Sequence, residues 1–297
     1  MTDALDCPSP DPELVAVDAA LVRLIERRAA LTAARGFVPA AEAQELRRIF
    51  EGRLTADGHL TGDDTAPLGA AALAQIWRAL VVGALARGGD FSVAICADAG
   101  ALNALDLARS YFGGLVPVAM AASPVSVVKA VADGVATVGL MPDPASSDEP
   151  SAWWTHLVNP NPGAPRIFAQ LPFVQDTPHV APLYALATRP LTPSGDDTTL
   201  IVAIAQGDLS RTRLQEAVAR AGLAASVVAA SKAADSNRLF TLLALEGYVA
   251  AGDARLQALE AGGYPPVERV ELVGVYANPL RRAPVLPRAQ TDEENVA

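Results

Sequence analysis

The first third of the chain places apolar side chains at the spacing of an α-helix. A first helix that starts at Pro12 aligns six residues on one face, three or four positions apart: Leu14, Val17, Leu21, Leu24, Arg28 and Leu31. Arg28 stands where the pattern calls for an apolar residue, and a buried guanidinium without a partner would cost about 3 to 5 kcal/mol. We therefore expect an anionic group to meet Arg28. The alternatives are a structural salt bridge to a neighbouring helix, or an aliphatic stem that carries the charge out to water.

Two further helices complete this N-terminal block. The second is predicted over about residues 40–54, and a loop rich in glycine and acidic residues follows it. The third is predicted over residues 68–87. Its apolar positions are expected to be buried, namely Leu73, Ile76, Trp77, Leu80 and Val81.

The pattern changes at Phe91 to short apolar runs that alternate with helical stretches. The runs FSVAICA, VPVAMAA and ATVGLMP indicate a βαβαβ unit with a parallel sheet, and two more apolar runs follow, RIFAQLPFV and PLYALATR. Residues 191–197, LTPSGDD, have the composition of a linker. The order of elements after it is βαββαβ, which is the ferredoxin-like arrangement.

Composition and charge restrict the partners and the location that we expect. A net charge of -10 without a Lys- or Arg-rich run argues against nucleic acid and against anionic membranes. Cys7 and Cys96 do not form a disulfide framework, and the N-terminus lacks the apolar run of a signal peptide, so a cytoplasmic protein is expected. The polar tail, residues 281–297, is expected to be disordered.

No metal or cofactor is expected from the candidate ligands along the chain. His59, His156 and His179 lack the spacing of a metal site, and no glycine-rich phosphate-binding motif is present. Lys129 and Lys232 are the only lysines, so positive charge in this protein means arginine. Arginine suits carboxylate ligands because its planar guanidinium can bind both oxygens.

Segments in all three blocks resemble the bifunctional chorismate mutase–prephenate dehydratases. LVAVDAALVRLIERRAAL, the glutamate-containing second helix and AQIWRALVVGAL resemble the three helices of AroQ-type chorismate mutases. DLARSYFG and KAVADGVATVGLMP resemble the opening of a prephenate dehydratase domain, and the block ending in VERVELVGVYANP is similar to an ACT domain. The resemblance implies a multidomain protein: an all-α helical domain over residues 1–90, a single α/β lobe over 91–190, and an α+β, ferredoxin-like ACT domain over 198–280.

This resemblance also implies an activity and a site. Chorismate mutases convert chorismate, a dianion, to prephenate in aromatic amino-acid biosynthesis, without covalent catalysis. By the match to the ERR segment, Arg28 would bind a substrate carboxylate, and Glu42 on the second helix would hold a substrate hydroxyl. Arg35, seven residues beyond Arg28 on the same face, is expected to be a further substrate-binding cation. The family also implies a homodimer with intertwined helices.

Departures from the family pattern leave a second interpretation open. Ala41, Ala84 and Gly88 stand where the family places polar or basic residues, and no Lys or Arg precedes Arg23. The alternative is therefore a non-catalytic paralogue, a dimeric protein that binds a small carboxylate or acts in regulation. Dehydratase activity is not expected, because the middle block supplies one lobe and Pro190 follows the Thr-Arg pair where that family has phenylalanine.

Overall fold

The computed structural model describes residues 11–61, 66–87, 91–97, 100–114, 116–146, 152–175, 181–207, 209–233, 237–261 and 267–282. The helices described are α1 (Pro12–Arg35), α2 (Pro39–Phe50), α3 (Ala70–Ala86), α4 (Ala101–Phe112), α5 (Pro124–Ala132), α6 (Arg211–Arg220) and α7 (Ala254–Ala261). The strands described are β1 (Val93–Cys96), β2 (Val118–Ala121), β3 (Val138–Pro142), β4 (Arg166–Leu171), β5 (Val174–Gln175), β6 (Leu183–Ala187), β7 (Asp197–Gln206), β8 (Ala225–Lys232), β9 (Arg238–Glu246), β10 (Val267–Ala277) and β11 (Leu280–Arg281). Cys7, Gly88, His179 and residues 283–297 of the tail lie outside the described residues.

The three predicted N-terminal helices are present, and α1 is the longest helix that the structure describes. Its first turn is capped by Asp11, whose side chain accepts a hydrogen bond from the Glu13 backbone N–H, and Pro12 occupies the first helical position. Gly36 ends it at a φ of 76°. The described part of the chain leaves the apolar stripe uncovered, with side chains 48% to 67% exposed at these five positions: Leu14, Val17, Leu21, Leu24 and Leu31.

The expectation that α3 buries its five large apolar residues is wrong for all but one. Val81 is buried, whereas Ile76 is 48% exposed and the other three are partly buried. The inward face of α3 instead carries Arg78, together with small residues such as Ala74 and Ala84. This face is turned toward α2 and α4. The ion pair of Arg78 with Glu42 lies there, in the place where the pattern predicts apolar side chains.

A nine-stranded mixed sheet forms the centre of the molecule, in the order β2-β1-β3-β6-β4-β10-β7-β9-β8. The predicted parallel pairing is confirmed for β1 with β2 and for β1 with β3. Val93 and Ile95 belong to the core cluster that includes α4, whereas Ala94 and Cys96 belong to the one that includes α5. Because side chains alternate along a strand, the two crossover helices cover opposite faces of the sheet.

The last block has the predicted order of elements, β7-α6-β8-β9-α7-β10, and its strands pair antiparallel. The sheet continues across residues 191–197, since β10 pairs with β7 on one side and with β4 on the other. Gly274 faces Ile167 at that joint, where a Cβ on Gly274 would lie 2.5 Å from the Cβ of Ile167. Glycine is therefore needed for β4 and β10 to come together.

Helix α2 connects the helical block to residues 191–197 and to the end of the last block. The Gln44 side-chain amide donates to the Ser194 carbonyl over 3.1 Å, and Arg47 contacts a carboxylate oxygen of Asp196 at 2.7 Å. Arg47 also donates to the backbone carbonyl of Asn278. These bonds fix the orientation of α2. They therefore determine the directions in which its two acidic side chains, Glu42 and Glu45, point. In the described part of the chain, no helix has both the length and the apolar character needed to cross a bilayer.

Candidate functional site

Arg28 meets a carboxylate on the neighbouring helix, so its anionic partner in the structure is the salt bridge that the sequence left open as an alternative. Its Nη2 lies 2.7 Å from Oε2 of Glu45, on α2, and its Nη1 donates to the Thr32 hydroxyl over 3.4 Å. The guanidinium carbon stands 4.3 Å from the centre of the Trp77 ring, a cation–π contact from α3. Residues from α1, α2 and α3 therefore fix the orientation of the Arg28 side chain.

Arg35 binds the second oxygen of the same carboxylate. Its Nη1 pairs with Oε1 of Glu45, so two guanidinium groups share the two oxygens of one glutamate. The side chains of Arg28, Arg35 and Glu45 are 18%, 32% and 29% exposed. The structure thus brings Arg28 and Arg35 together at the edge of the helical block, and we call these three side chains the arginine clamp.

The clamp carries an excess of positive charge. Two guanidinium groups face one carboxylate, and burial lowers the pKa of Arg28 while the charge of Glu45 offsets part of that effect. An arginine stays protonated under such a shift, because its ordinary pKa lies above 12. The clamp is therefore suited to bind a carboxylate in the place that Glu45 now occupies.

Glu42 is not part of this clamp. It is buried, with 3% of its side chain exposed, and its Oε2 pairs with Nη1 of Arg78, which is 3% exposed. Arg78 also donates from Nε to the Tyr111 carbonyl over 3.3 Å, and its guanidinium carbon stands 3.6 Å from the Tyr111 ring centre. Burial raises the pKa of Glu42, and the charge of Arg78 and its hydrogen bond offset part of the rise. The carboxylate that the resemblance assigns to a substrate hydroxyl is thus engaged inside the protein.

The sequence pattern did not single out Glu45, and it assigned no definite role to Arg78. Arg78 could have been found by the criterion that found Arg28, because it lies in helical spacing with Ala71, Ala74 and Val81. For Glu45 the sequence offers a weaker signal, its position three residues after Glu42 on the same helix.

Ala41 and Ala84, which stand where the chorismate mutase pattern has polar or basic residues, supply no polar side-chain contact in the structure. Ala41 is partly buried and Ala84 is buried, and neither side chain can donate a hydrogen bond to a ligand. Among the described residues, no group of three or more His, Cys, Asp or Glu side chains could hold a metal ion.

Comparison with known proteins gives matches among solved structures alone. No protein-family model matches the chain, and no curated protein matches it. One matching structure is a protein described as GqqA, a novel type of quorum quenching acylase, at 20% identity and a TM-score of 0.45, covering 64% of this chain and 96% of that one.

Two other matching structures are prephenate dehydratases. The one from Arthrobacter aurescens, in complex with L-Phe, shows 13% identity and a TM-score of 0.45, over 65% of this chain and 93% of that one. The one from Streptococcus mutans shows 13% identity and a TM-score of 0.44, over 64% of this chain and 99% of that one. Neither family membership nor activity follows from likenesses of this size.

Proposed function

We propose that the protein is a chorismate mutase, which converts chorismate to prephenate, and that the arginine clamp binds one carboxylate of the substrate. The observation that carries the proposal is the convergence of Arg28 and Arg35 on both oxygens of Glu45. The family resemblance supplies the substrate, and with it a role in aromatic amino-acid biosynthesis. The division into a chorismate mutase-like domain, a dehydratase-like lobe and an ACT-like domain belongs to the same proposal.

The clamp can exchange its internal carboxylate for one from a ligand. Glu45 is 29% exposed, and one ion pair near the surface is worth at most about 1 kcal/mol. A ligand carboxylate that makes the same two contacts with Arg28 and Arg35 can therefore replace it. Chorismate carries two carboxylates, and replacing Glu45 with one of them leaves both arginines paired. Arg28 and Arg35 would then hold the substrate in its reactive conformer, while Glu45 turns to solvent.

The substrate site would be completed by a second copy of the chain. The exposed stripe of α1 spans residues 14 to 31, about 25 Å of helix, and Arg28 lies on the same stripe. An exposed apolar surface of this kind marks an interface, and a stripe on one helix can pair with its own copy around a two-fold axis. We expect Leu21→Glu with Leu24→Glu to yield a monomer in light scattering. Leu102→Glu, at an exposed leucine on α4, is the matched control and should leave the dimer intact.

A specific observation favours a second candidate function, that of a non-catalytic carboxylate-binding protein. Glu42 is held by Arg78 in the interior, and Ala84 offers no hydrogen-bond donor. With Glu42 engaged by Arg78 and an alanine at position 84, the hydroxyl and the ether oxygen of chorismate would lack partners. Each missing charge-assisted contact removes about 1.5 to 3 kcal/mol of stabilisation. Such a protein would bind chorismate or a related carboxylate without turnover.

One experiment separates these functions. Purified full-length protein is mixed with chorismate, and the formation of prephenate is followed against the uncatalysed reaction while calorimetry measures binding. Arg28→Ala is compared with Arg27→Ala, because Arg27 is the neighbouring arginine and is exposed. Turnover that is lost in Arg28→Ala and kept in Arg27→Ala would support the mutase. Binding without turnover would support the second candidate, and the absence of both would overturn the clamp as a chorismate site.

A further inference from the structure

A cavity of about 160 Å³ lies between α3, α4 and the segment 172–175. Its buried apolar wall comes from these elements and from α2: Leu46, Ala74, Leu107, Phe173 and Val174. Truncation of one buried leucine in another protein leaves a cavity of about 150 Å³, so this volume suits a single leucine side chain. Arg78 is the only charged residue among the described lining residues, and it is paired with Glu42. The wall is therefore suited to an apolar group.

Polar residues form the rim of this cavity. Gln75 is exposed, and Ser110 and Gln175 are partly buried. The Ser110 hydroxyl donates to the Leu107 carbonyl over 3.1 Å, and the Gln175 amide donates to the Pro172 carbonyl over 3.4 Å. These side chains are thus engaged with the backbone at the rim, and the apolar wall behind them is left uncovered. Covering such a surface with an apolar side chain is favourable.

The described chain ends beside this cavity. Strand β11 pairs with β5, and the backbone N–H of Arg282 donates over 3.3 Å to the carbonyl of Gln175, which is a lining residue. Residues 283–297 follow in the sequence. Leu286 comes four residues after Arg282, and an extended chain covers about 13 Å in that interval. Leu286 is therefore within reach of the rim at Gln175.

The sequence around Leu286 is suited to docking in an extended form. Pro284 and Pro287 flank Val285 and Leu286, and a proline ring fixes φ at about −65°. Leu286 is restricted as well, because the residue before a proline is held extended. A segment restricted in this way loses less conformational entropy on docking than an ordinary segment. Val285 and Leu286 are also the only large aliphatic side chains in residues 283–295.

We propose that residues 284–287 dock on this cavity within the same chain, and that the side chain of Leu286 fills it. Leu286 would contact α2, α3, α4 and β5, so the segment would join the helical block to the middle block. The polar residues 291–297 would take no part in the contact. The proposal is independent of chorismate turnover, because none of these residues belongs to the arginine clamp.

Tryptic cleavage after Arg288 measures this docking, because a protease cuts only where the chain around the bond is accessible. Mass spectrometry of the full-length protein follows the loss of residues 289–297. Ala74→Leu fills the cavity and leaves the cleavage sequence unaltered, so we expect cleavage at least about tenfold faster than in the unaltered protein. Ala72→Leu is the matched control, because Ala72 is exposed on the same helix and does not line the cavity. Circular dichroism verifies that both variants fold. Equal rates in Ala74→Leu and the unaltered protein would overturn the proposal.

Leu286→Ser removes the same contact from the side of the docked segment and leaves the cavity unchanged. It should also be cleaved at least about tenfold faster, whereas Val296→Ser is the control and should be cleaved like the unaltered protein. Combining Leu286→Ser with Ala74→Leu should give no further increase, because both changes remove one contact. A further increase in the double variant would mean that Leu286 does not occupy the cavity.

The dependence on protein concentration identifies the chain on which the segment docks. Docking within one chain predicts the same cleavage rate over about a hundredfold range of protein concentration at a fixed protease concentration. Slower cleavage at high concentration would place the segment on a second copy and overturn the proposal. A mutase assay that fails would overturn the proposed function and leave this docking standing, since none of these measurements uses chorismate.

Discussion

Two glutamates on α2, three residues apart, bind arginines in contrasting surroundings. Glu45 holds Arg28 and Arg35 at the edge of the helical block, with both of its oxygens engaged and all three side chains partly exposed. Glu42 holds Arg78 in the interior, and Oε1 of the glutamate and Nη2 of the arginine have no hydrogen-bond partner among the described residues. The same pair of chemical groups therefore lies near the surface in one place and inside the protein in the other.

The difference arises from what packs around each pair. Trp77 of α3 packs against Arg28 on one side. The apolar side chains that neighbour Arg28 along α1 are exposed to solvent. Arg78 lies between α2 and the end of α4, where the rings of Tyr111 and Phe112 stand 3.6 Å and 5.9 Å from its guanidinium carbon. Aromatic rings exclude water from the second pair, which strengthens the attraction and raises the penalty for losing one partner.

The largest expected effect comes from breaking the buried pair. Arg78→Met leaves the Glu42 carboxylate buried without a partner, and we expect it to lower the free energy of unfolding by about 3 to 5 kcal/mol. Urea denaturation at a fixed protein concentration measures this value. Arg28→Met is the matched variant at the exposed clamp and should cost about 1 kcal/mol or less. Equal losses of unfolding free energy in the two variants would mean that burial does not distinguish the Glu42–Arg78 pair from the arginine clamp.

Removing an arginine from the exposed clamp should act on function instead of stability. We expect Arg28→Ala to lower kcat/KM for chorismate about a hundredfold or more, because a carboxylate of the substrate loses its partner. Steady-state kinetics measures the effect, and circular dichroism verifies that the helices remain. Turnover that is unchanged in a folded variant would refute the role of Arg28.

The raised pKa of Glu42 predicts how stability changes with pH. The folded protein binds this proton more tightly than the unfolded chain, so the contribution is fully present below the ordinary pKa of glutamate. It is lost as the pH rises through the raised pKa of the folded state. Unfolding curves at several pH values should show that Glu42→Gln removes this fall in stability. Glu45→Gln is the control and should keep it.

The smallest effect is expected from Glu45→Gln. Its loss should change the free energy of unfolding by less than about 1 kcal/mol, since the clamp lies near the surface. Binding of chorismate should become tighter, because the internal carboxylate no longer competes for Arg28 and Arg35. Calorimetry measures the affinity. Weaker binding in this variant would mean that Glu45 positions the arginines and does not compete with the ligand.

Much of the element order could be predicted from the sequence, because periodicities of 3.6 and 2 residues are local signals. These local signals predicted the three N-terminal helices, the parallel strands that follow and the βαββαβ order of the last block. The continuity of the sheet could not be predicted, because it depends on Ile167 meeting Gly274 more than a hundred residues later. The partly wrong expectation for α3 has the same origin, since its inward face depends on how α2 and α4 pack against it.

The site shows the same division. An arginine within an apolar stripe needs an anion or a path to water for its charge, so the sequence by itself predicted that Arg28 would have one or the other. It also placed Arg35 on the same face. Which carboxylate meets these arginines was decided by tertiary structure, because Glu42 and Glu45 lie on one turn of α2 and either could reach α1. The bonds from Gln44 and Arg47 to the last block set the rotation of α2, and that rotation directs Glu45 to the surface and Glu42 to Arg78.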